Sequence, residues 1–224
     1  MDCCQPMTNV FNQRRVRREL VRFRRSGPDR TTLELVRAIH DTLGDDGLAG
    51  ASVLDVGGGL GAIQLELLGM GAGSATSVDA SPAYVQAATE EAARRGYADR
   101  ITHRAANFVE VAPEVAPADI VTLERVICCY QDMPQLVGDS AARARRTYGL
   151  VFPRDAWWVL GGRQVLNFIF WATRSAFRFY VHPTAAVDAV VRQNGLARAY
   201  ARNVGLWQVV VYSRDATGAV ATAG

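Results

Sequence analysis

Residues 53–61 read Val-Leu-Asp-Val-Gly-Gly-Gly-Leu-Gly, a carboxylate followed by glycines at 57, 59 and 61. Glycine accepts positive φ and lets backbone approach a ligand closely. Here the glycines stand where an apolar strand gives way to a helix, whose first N–H groups are unpaired. Dinucleotide sites use a similar G-x-G-x-x-G turn, and so do tight turns that bind nothing. Asp55 separates the cases, because a carboxylate at that strand end repels a pyrophosphate and suits a cationic ligand. Asp79 closes the next strand 18 residues after Gly61, with Ala80 behind it, where a carboxylate takes both hydroxyls of a ribose. Asn107-Phe108 follows the third strand, an amide to read the adenine edge beside a ring to cover its face. Ribose, adenine, positive charge and no phosphate together describe S-adenosylmethionine (SAM), with its ammonium and sulfonium.

Transfer of a methyl group from a sulfonium is an in-line displacement. It needs alignment and the exclusion of water, and a base only if the nucleophile starts protonated. The loop after the fourth strand offers Glu124, Arg125, Tyr130 and Asp132. Glu124 joins the expected cofactor set. Arg125 suits an anionic acceptor and Tyr130 could orient a nucleophile, although it is equally a half-buried loop tyrosine. Asp132 also reads as the cap of the helix that Pro134 begins. His182 has the pKa of a base, or is a turn histidine ahead of Pro183. The segment from Trp157 to Tyr180 holds three of the four Trp and four of the eight Phe. It reads as a cover for a bulky apolar substrate, as core packing or as a dimer face.

Strand and helix patterns alternate to position these residues. Strands are expected at Ser52–Val56, Ala75–Asp79, Ile101–Arg104, Asp119–Leu123 and Tyr148–Phe152. Helices are expected from Thr31, over Ala62–Leu68, from Pro82 toward Arg95, over Pro134–Arg146 and over Thr184–Gln193. Thr31 and Glu34 fit a capping box, with Leu33, Val36, Ile39 and Leu43 at helical spacing, and Gly44 to Gly50 reads as a loop. Ala197–Asn203 and Leu206–Ser213 read as an antiparallel hairpin. The expected architecture is α/β: a Rossmann-like, mainly parallel seven-stranded sheet with helices on both faces and a C-terminal antiparallel hairpin. Residues 1–30 form a basic arm, 31–214 the cofactor-binding domain, and 215–224 a tail expected to be disordered.

Composition excludes several classes. Apolar residues make up 49%, enough for a packed core, and the net charge of +3 does not by itself imply nucleic acid, so no DNA partner is expected. All 25 basic residues are Arg, which reads as the coding bias of a GC-rich genome. No secretory signal is visible, and the paired cysteines Cys3-Cys4 and Cys128-Cys129 are neither a disulfide framework nor a zinc spacing. The expectation is a cytoplasmic chain with reduced thiols, no metal, no transmembrane span and a possible homodimer. Arg14 to Arg25 carries seven Arg, with Val16, Leu20 and Phe23 at i, i+4 and i+7. This basic amphipathic helix packs on the domain, with lid duty, or contacts an anionic membrane or RNA.

Over residues 31–214 the pattern resembles the class I SAM-dependent methyltransferases, through the glycine motif paired with Asp79. Within them it is most similar to the magnesium-protoporphyrin O-methyltransferases, through Leu123-Glu-Arg-Val-Ile-Cys-Cys-Tyr130, Tyr180-Val-His182 ahead of Asp188, and Val210-Val-Tyr-Ser-Arg214. Where that family carries His-Tyr after strand four, this chain has Cys129-Tyr130. The resemblance implies methylation of a small acceptor at oxygen. The competing classes are an RNA methyltransferase using the Arg arm and a non-catalytic SAM-binding protein. The chain lacks an N-P-P-Y motif for the first, and its cofactor glycines are intact, unlike the second.

Overall fold

A computed structural model of the chain describes residues 13–175 and 177–214 and the backbone of Ala221–Thr222. Among the described residues two helices precede the sheet, α1 (Gln13–Ser26) and α2 (Arg30–Leu48). The alternating part follows: β1 (Ser52–Val56), α3 (Ala62–Gly69), β2 (Ser74–Asp79), α4 (Pro82–Arg94), β3 (Ile101–Ala105), the single-turn α5 (Phe108–Val111) and β4 (Ala118–Glu124). Then come α6 (Met133–Ala141), β5 (Ala144–Pro153), α7 (Trp157–Ala172), α8 (Thr184–Gln193), β6 (Ala197–Val204) and β7 (Trp207–Ser213).

The sheet order is β3-β2-β1-β4-β5-β7-β6. The first five strands are parallel, and β7 enters antiparallel between β5 and β6. Strand order reverses between β1 and β4, the place where open α/β sheets bind ligands. Both faces are covered. Leu35, Val36 and Ile39 of α2 pack with Val53, Ile120 and Val211 on one face, where Phe23 of α1 joins them. Leu136 and Val137 of α6 and Val187 and Val191 of α8 cover Leu54, Val121 and Tyr148 on the other. Asp188 of α8 accepts the Tyr212 hydroxyl at 2.7 Å and pairs with Arg198, which ties α8 to the hairpin.

Several local expectations are corrected. The capping box at Thr31 and Glu34 does not form. The N-cap is Asp29, while Thr31 bonds Glu124 and Glu34 accepts from Tyr200 and Arg202. Leu33 is exposed, and Leu35 takes the buried position. The chain from Gly44 to Leu48 is not a loop, because the helix kinks at Gly44 (φ 69°) and resumes. The helix expected to reach Arg146 ends at Ala141, and β5 starts at Ala144, since strand pairing claims Ala144 to Thr147. Of the tail expected to be disordered, Ala221–Thr222 form a two-residue strand on β6, and the rest lies outside the described residues. Cys3 and Cys4 also lie outside them.

Candidate functional site

A cavity of about 560 Å³ opens at the C-terminal ends of β1, β2 and β4, within the ~300–1,000 Å³ usual for small-molecule sites. Its first wall is the glycine turn. Gly57 (φ 70°) has no room for a side chain, because a Cβ would lie 2.5 Å from the Val126 Cγ2. At Gly58 a Cβ would lie 2.8 Å from the Asp55 carboxylate and 2.6 Å from the Ser77 hydroxyl. Backbone therefore runs against the cavity where side chains would fill it. Gly61 (φ 79°) caps α3 from outside the lining.

Asp55 is 1% exposed. Its Oδ1 accepts the Thr122 hydroxyl at 2.8 Å, and its Oδ2 is buried with no partner. Burial pushes its pKa up to about 7 against the Thr122 hydrogen bond, with Glu124 and Asp79 adding like charge. A buried oxygen without a partner beside a crevice where no Cβ fits is what a cationic ligand group would satisfy. Asp79 receives Gly59 N–H at 3.0 Å on Oδ2 and Ser81 N–H at 2.7 Å on Oδ1. Burial raises its pKa against these two bonds. One lone pair on each oxygen remains for a pair of hydroxyls. Ala80, Asn107 and Phe108 complete this half of the lining. Asn107 is the N-cap of α5, and its amide donates to Glu110 at 2.9 Å.

Glu124 ends β4 between the two halves. Its Oε1 and Oε2 accept the Thr31 and Thr32 hydroxyls, each at 2.7 Å, so the start of α2 holds the carboxylate in place. Arg125 adopts positive φ (58°) and spans the wall. It donates to Asp29 at 2.9 Å, bonds Thr31 at 2.5 Å, and lies 5.1 Å from the centre of the Trp207 ring. Against the cost of burying Asp29, Arg125 and Arg22 hold that carboxyl below its ordinary range. Tyr130 lines the cavity at 7% exposure. His182 does not line it. Its Nε2 is 3.0 Å from both the Ile127 and the Tyr130 carbonyl oxygens, which pins the loop that carries Tyr130. Asp132 caps α6 by accepting the Gln135 N–H.

The expected site residues thus gather in one place apart from Gly61 and His182. The sequence reading missed Thr122, Thr31 and Thr32, and Gly58 as parts of the site, while it gave α1 a place packed on the domain with lid duty. Arg15, Glu19, Arg22 and Phe23 of α1 line the cavity from above. Glu19 takes the Tyr84 hydroxyl, and Arg24 donates to Glu91 at 2.9 Å. Glu91 is fully buried among Arg94, Arg24 and Arg95, which hold its carboxyl down at about 2. Only the apolar spacing of α1 signalled this role. The aromatic wall comes from Phe170, Phe177, Phe179 and Trp207. The adjacent thiols Cys128 and Cys129, 3.8 Å apart, also line the cavity. Among the described residues no three His, Cys, Asp or Glu side chains form a metal-binding group, and no helix is long and apolar enough to cross a membrane.

The family described as a methyltransferase domain matches residues 53–147. No curated protein matches the sequence significantly. Among solved structures, a magnesium protoporphyrin IX methyltransferase from Synechocystis PCC 6803 with bound SAH superposes with a TM-score of 0.73 at 20% identity, over 96% of this chain and 100% of that one. An O-methyltransferase family protein from Burkholderia thailandensis gives 0.69 at 18% identity, over 93% and 62%. An O-methyltransferase family 2 protein from Planctomyces limnophilus DSM 3776, in complex with apigenin, gives 0.61 at 18%, over 84% and 63%.

Proposed function

We propose that the chain is a class I SAM-dependent methyltransferase that methylates a small, apolar, ring-containing acceptor at an oxygen, a reading supported by the methyltransferase-domain match over residues 53–147 and by the shared fold. The observation that carries this is the shape of the cavity, which joins the Asp55–Asp79 cradle to a wall of Phe170, Phe177, Phe179 and Trp207. Flat apolar ligands pair well with such rings.

Bound SAM supplies a methyl group on a sulfonium, and in-line attack forms the new bond to carbon while the old bonding pair stays on sulfur. The protein's part is placement. In this proposal the free oxygen of Asp55 receives the ammonium, Asp79 the two ribose hydroxyls, and Asn107 and Phe108 the adenine. Glu124, held by Thr31 and Thr32, adds negative potential beside the positive ligand. Helix α1 and Phe23 close the space to water, which matters because water competes with a weak acceptor.

The nucleophile is best an oxygen that is already anionic, a carboxylate or an acidic hydroxyl. None of the three histidines lines the cavity, and Nε2 of His182 meets backbone carbonyls. His182 acts as a positioning residue for Tyr130, which orients the acceptor oxygen. Arg125 is a brace between Asp29, Thr31 and Trp207, and turns one edge of its positive charge to the acceptor. The RNA alternative is less well supported, since Arg15, Arg22 and Arg24 of the arm bond to carboxylates of the same chain.

The test is turnover with methyl-labelled SAM on a panel of aromatic acids, phenols, porphyrin carboxylates, amines and RNA. Oxygen acceptors are expected to turn over. At saturating SAM a carboxylate acceptor should give a rate nearly flat from about pH 6 to 9. Efficient turnover of amines or RNA with none of any oxygen acceptor overturns the proposal.

A further inference from the structure

Helix α7 has two different sides. Val159 is buried, and Phe170 reaches the cavity. The opposite side carries Trp157, Trp158, Val165, Phe168, Ile169 and Trp171, all between 44% and 84% exposed. Gln164 is the only polar side chain among the exposed positions of this helix. Three of the chain's four tryptophans therefore face outward on one helix of 16 residues. Exposed apolar side chains are ordinary when scattered, but a contiguous face of this kind marks a binding surface.

Apart from Asp155, which accepts the Thr184 N–H at the start of the face, the charges along this stretch are of one sign. Between Asp155 and Asp188 the sequence holds no acidic residue, while Arg163, Arg174 and Arg178 fall inside that stretch. Arg154 stands at the other end of the face, 6.0 Å from the centre of the Trp158 ring. A second copy of the chain would bring a like arginine rim against this one, because a two-fold contact pairs a surface with itself. An anionic lipid surface complements it instead. Indole rings settle at the headgroup level, aliphatic and phenyl groups just below, and arginines reach the phosphates.

The face is also continuous with the cavity. Beyond the end of α7 the chain turns at Arg174 and carries Phe177 and Phe179 into the cavity wall, and Asn167 of α7 holds that return by bonding the Phe179 backbone in both directions at 2.8 and 2.9 Å. An apolar molecule dissolved in lipid would meet aromatic side chains from the surface to the interior.

We propose that the outer face of α7 docks on an anionic bilayer, lying in the interface without crossing it. This stands apart from the choice of acceptor atom. The test is co-sedimentation of the full chain with phosphatidylcholine vesicles prepared with and without phosphatidylglycerol. Tryptophan emission and its quenching by brominated lipid are read in the same samples. The wild-type chain is expected to bind the phosphatidylglycerol vesicles, with blue-shifted and quenched emission. A Trp157→Ser/Phe168→Ser/Trp171→Ser variant should lose about tenfold or more in vesicle affinity, as the loss of several inserted side chains implies. Arg174→Gln should weaken only the phosphatidylglycerol-dependent part. SAM affinity by calorimetry reports folding, and it also separates this inference from the methyltransferase proposal. Should the triple variant fail to bind SAM, Phe168→Ser and Trp171→Ser singly carry the test, each with a partial loss expected. Absence of vesicle binding by the wild type overturns the proposal. So does full binding by variants that still bind SAM, or a dimer in sedimentation velocity that the variants dissociate without any vesicle binding.

Discussion

Replacing Asp55 with asparagine should make the ligand-free protein more stable and its cofactor site worse. The distance from the ordinary carboxylate value of 3.8 to about 7 corresponds to about 4 kcal/mol at 1.36 kcal/mol per pH unit, chiefly the cost of burying the charge, with repulsion from Glu124 and Asp79 added and the Thr122 hydrogen bond opposing. The sign follows from proton binding. Folded Asp55 keeps a proton that the unfolded chain releases above pH ~4, so wild-type stability falls as pH rises from about 4 to about 7 and then levels off. Asparagine keeps the acceptor for the Thr122 hydroxyl and removes the charge. The gain is bounded by about 4 kcal/mol at pH 8 and about 1.6 kcal/mol at pH 5, and falls below these bounds because water entering the cavity screens a buried charge. For a chain of this length each kcal/mol moves Tm by roughly 2–4 °C. Thermal melts of both proteins between pH 5 and 8 should therefore diverge as pH rises. Calorimetry should show a loss in SAM affinity of about 10- to 150-fold, from one charged hydrogen bond of about 1.5–3 kcal/mol. Wild-type affinity should also weaken below pH 7, where binding must expel the proton, and the variant's should not. A variant no more stable than wild type at pH 8, or a gain that does not grow with pH, would refute the burial argument. Unchanged SAM affinity would remove Asp55 from the site.

Asp79→Ala should weaken SAM and SAH binding by about 100-fold or more, the sum of two charged hydrogen bonds, and equal calorimetric affinities would exclude its ribose role. Gly57→Ala should cost far more stability in thermal melts than Gly59→Ala, because both have positive φ but only Gly57 faces Val126. Val126→Ala should recover part of that loss, and no recovery would mean that φ alone sets the cost. The Cys129 thiol is held below its ordinary pKa by the Cys128 hydrogen bond, against its burial and with help from Arg15, whereas Cys128 is pushed well above. Peptide mapping after brief alkylation should find Cys129 modified ahead of Cys128, with protection by SAM or acceptor analogues, and the reverse order would contradict the assignment.

What was legible in the sequence was local. Ser52–Val56 and Thr184–Gln193 form the elements expected, residue for residue, because a short run of Val and Leu broken only by Asp55 and a helix with Asn194-Gly195 at its end are decided by neighbours in the chain. The cofactor turn was legible for the same reason, as Asp55 and its glycines lie within seven residues. Misreadings arose where a partner far away takes over a residue. Thr31 fits a cap by spacing, yet its hydroxyl goes to Glu124, 93 residues on. Arg125 is braced by Asp29 from 96 residues upstream, a partner that its neighbours in the chain do not announce. Gly44 reads as a helix stop, but the buried Leu48 draws the helix onward through a kink. For α7 the aromatic content was plain and the direction was not, since its outward apolar side breaks the rule that would have turned it to the core.

The fastening of α1 has a consequence for the order of events in turnover. Arg24 is bound to Glu91, a buried carboxylate on α4, while Glu19 is bound to Tyr84 on the same helix. The roof over the cavity is thus hinged to the element that follows Asp79. A ligand seated beneath α1 would leave more readily when those bonds open. For the proposed methyl transfer this predicts ordered addition, donor first and spent donor last, which product-inhibition kinetics would test. Because Glu91 is fully buried, salt screens the Arg24–Glu91 pair only weakly, and this fastening holds across ionic strengths.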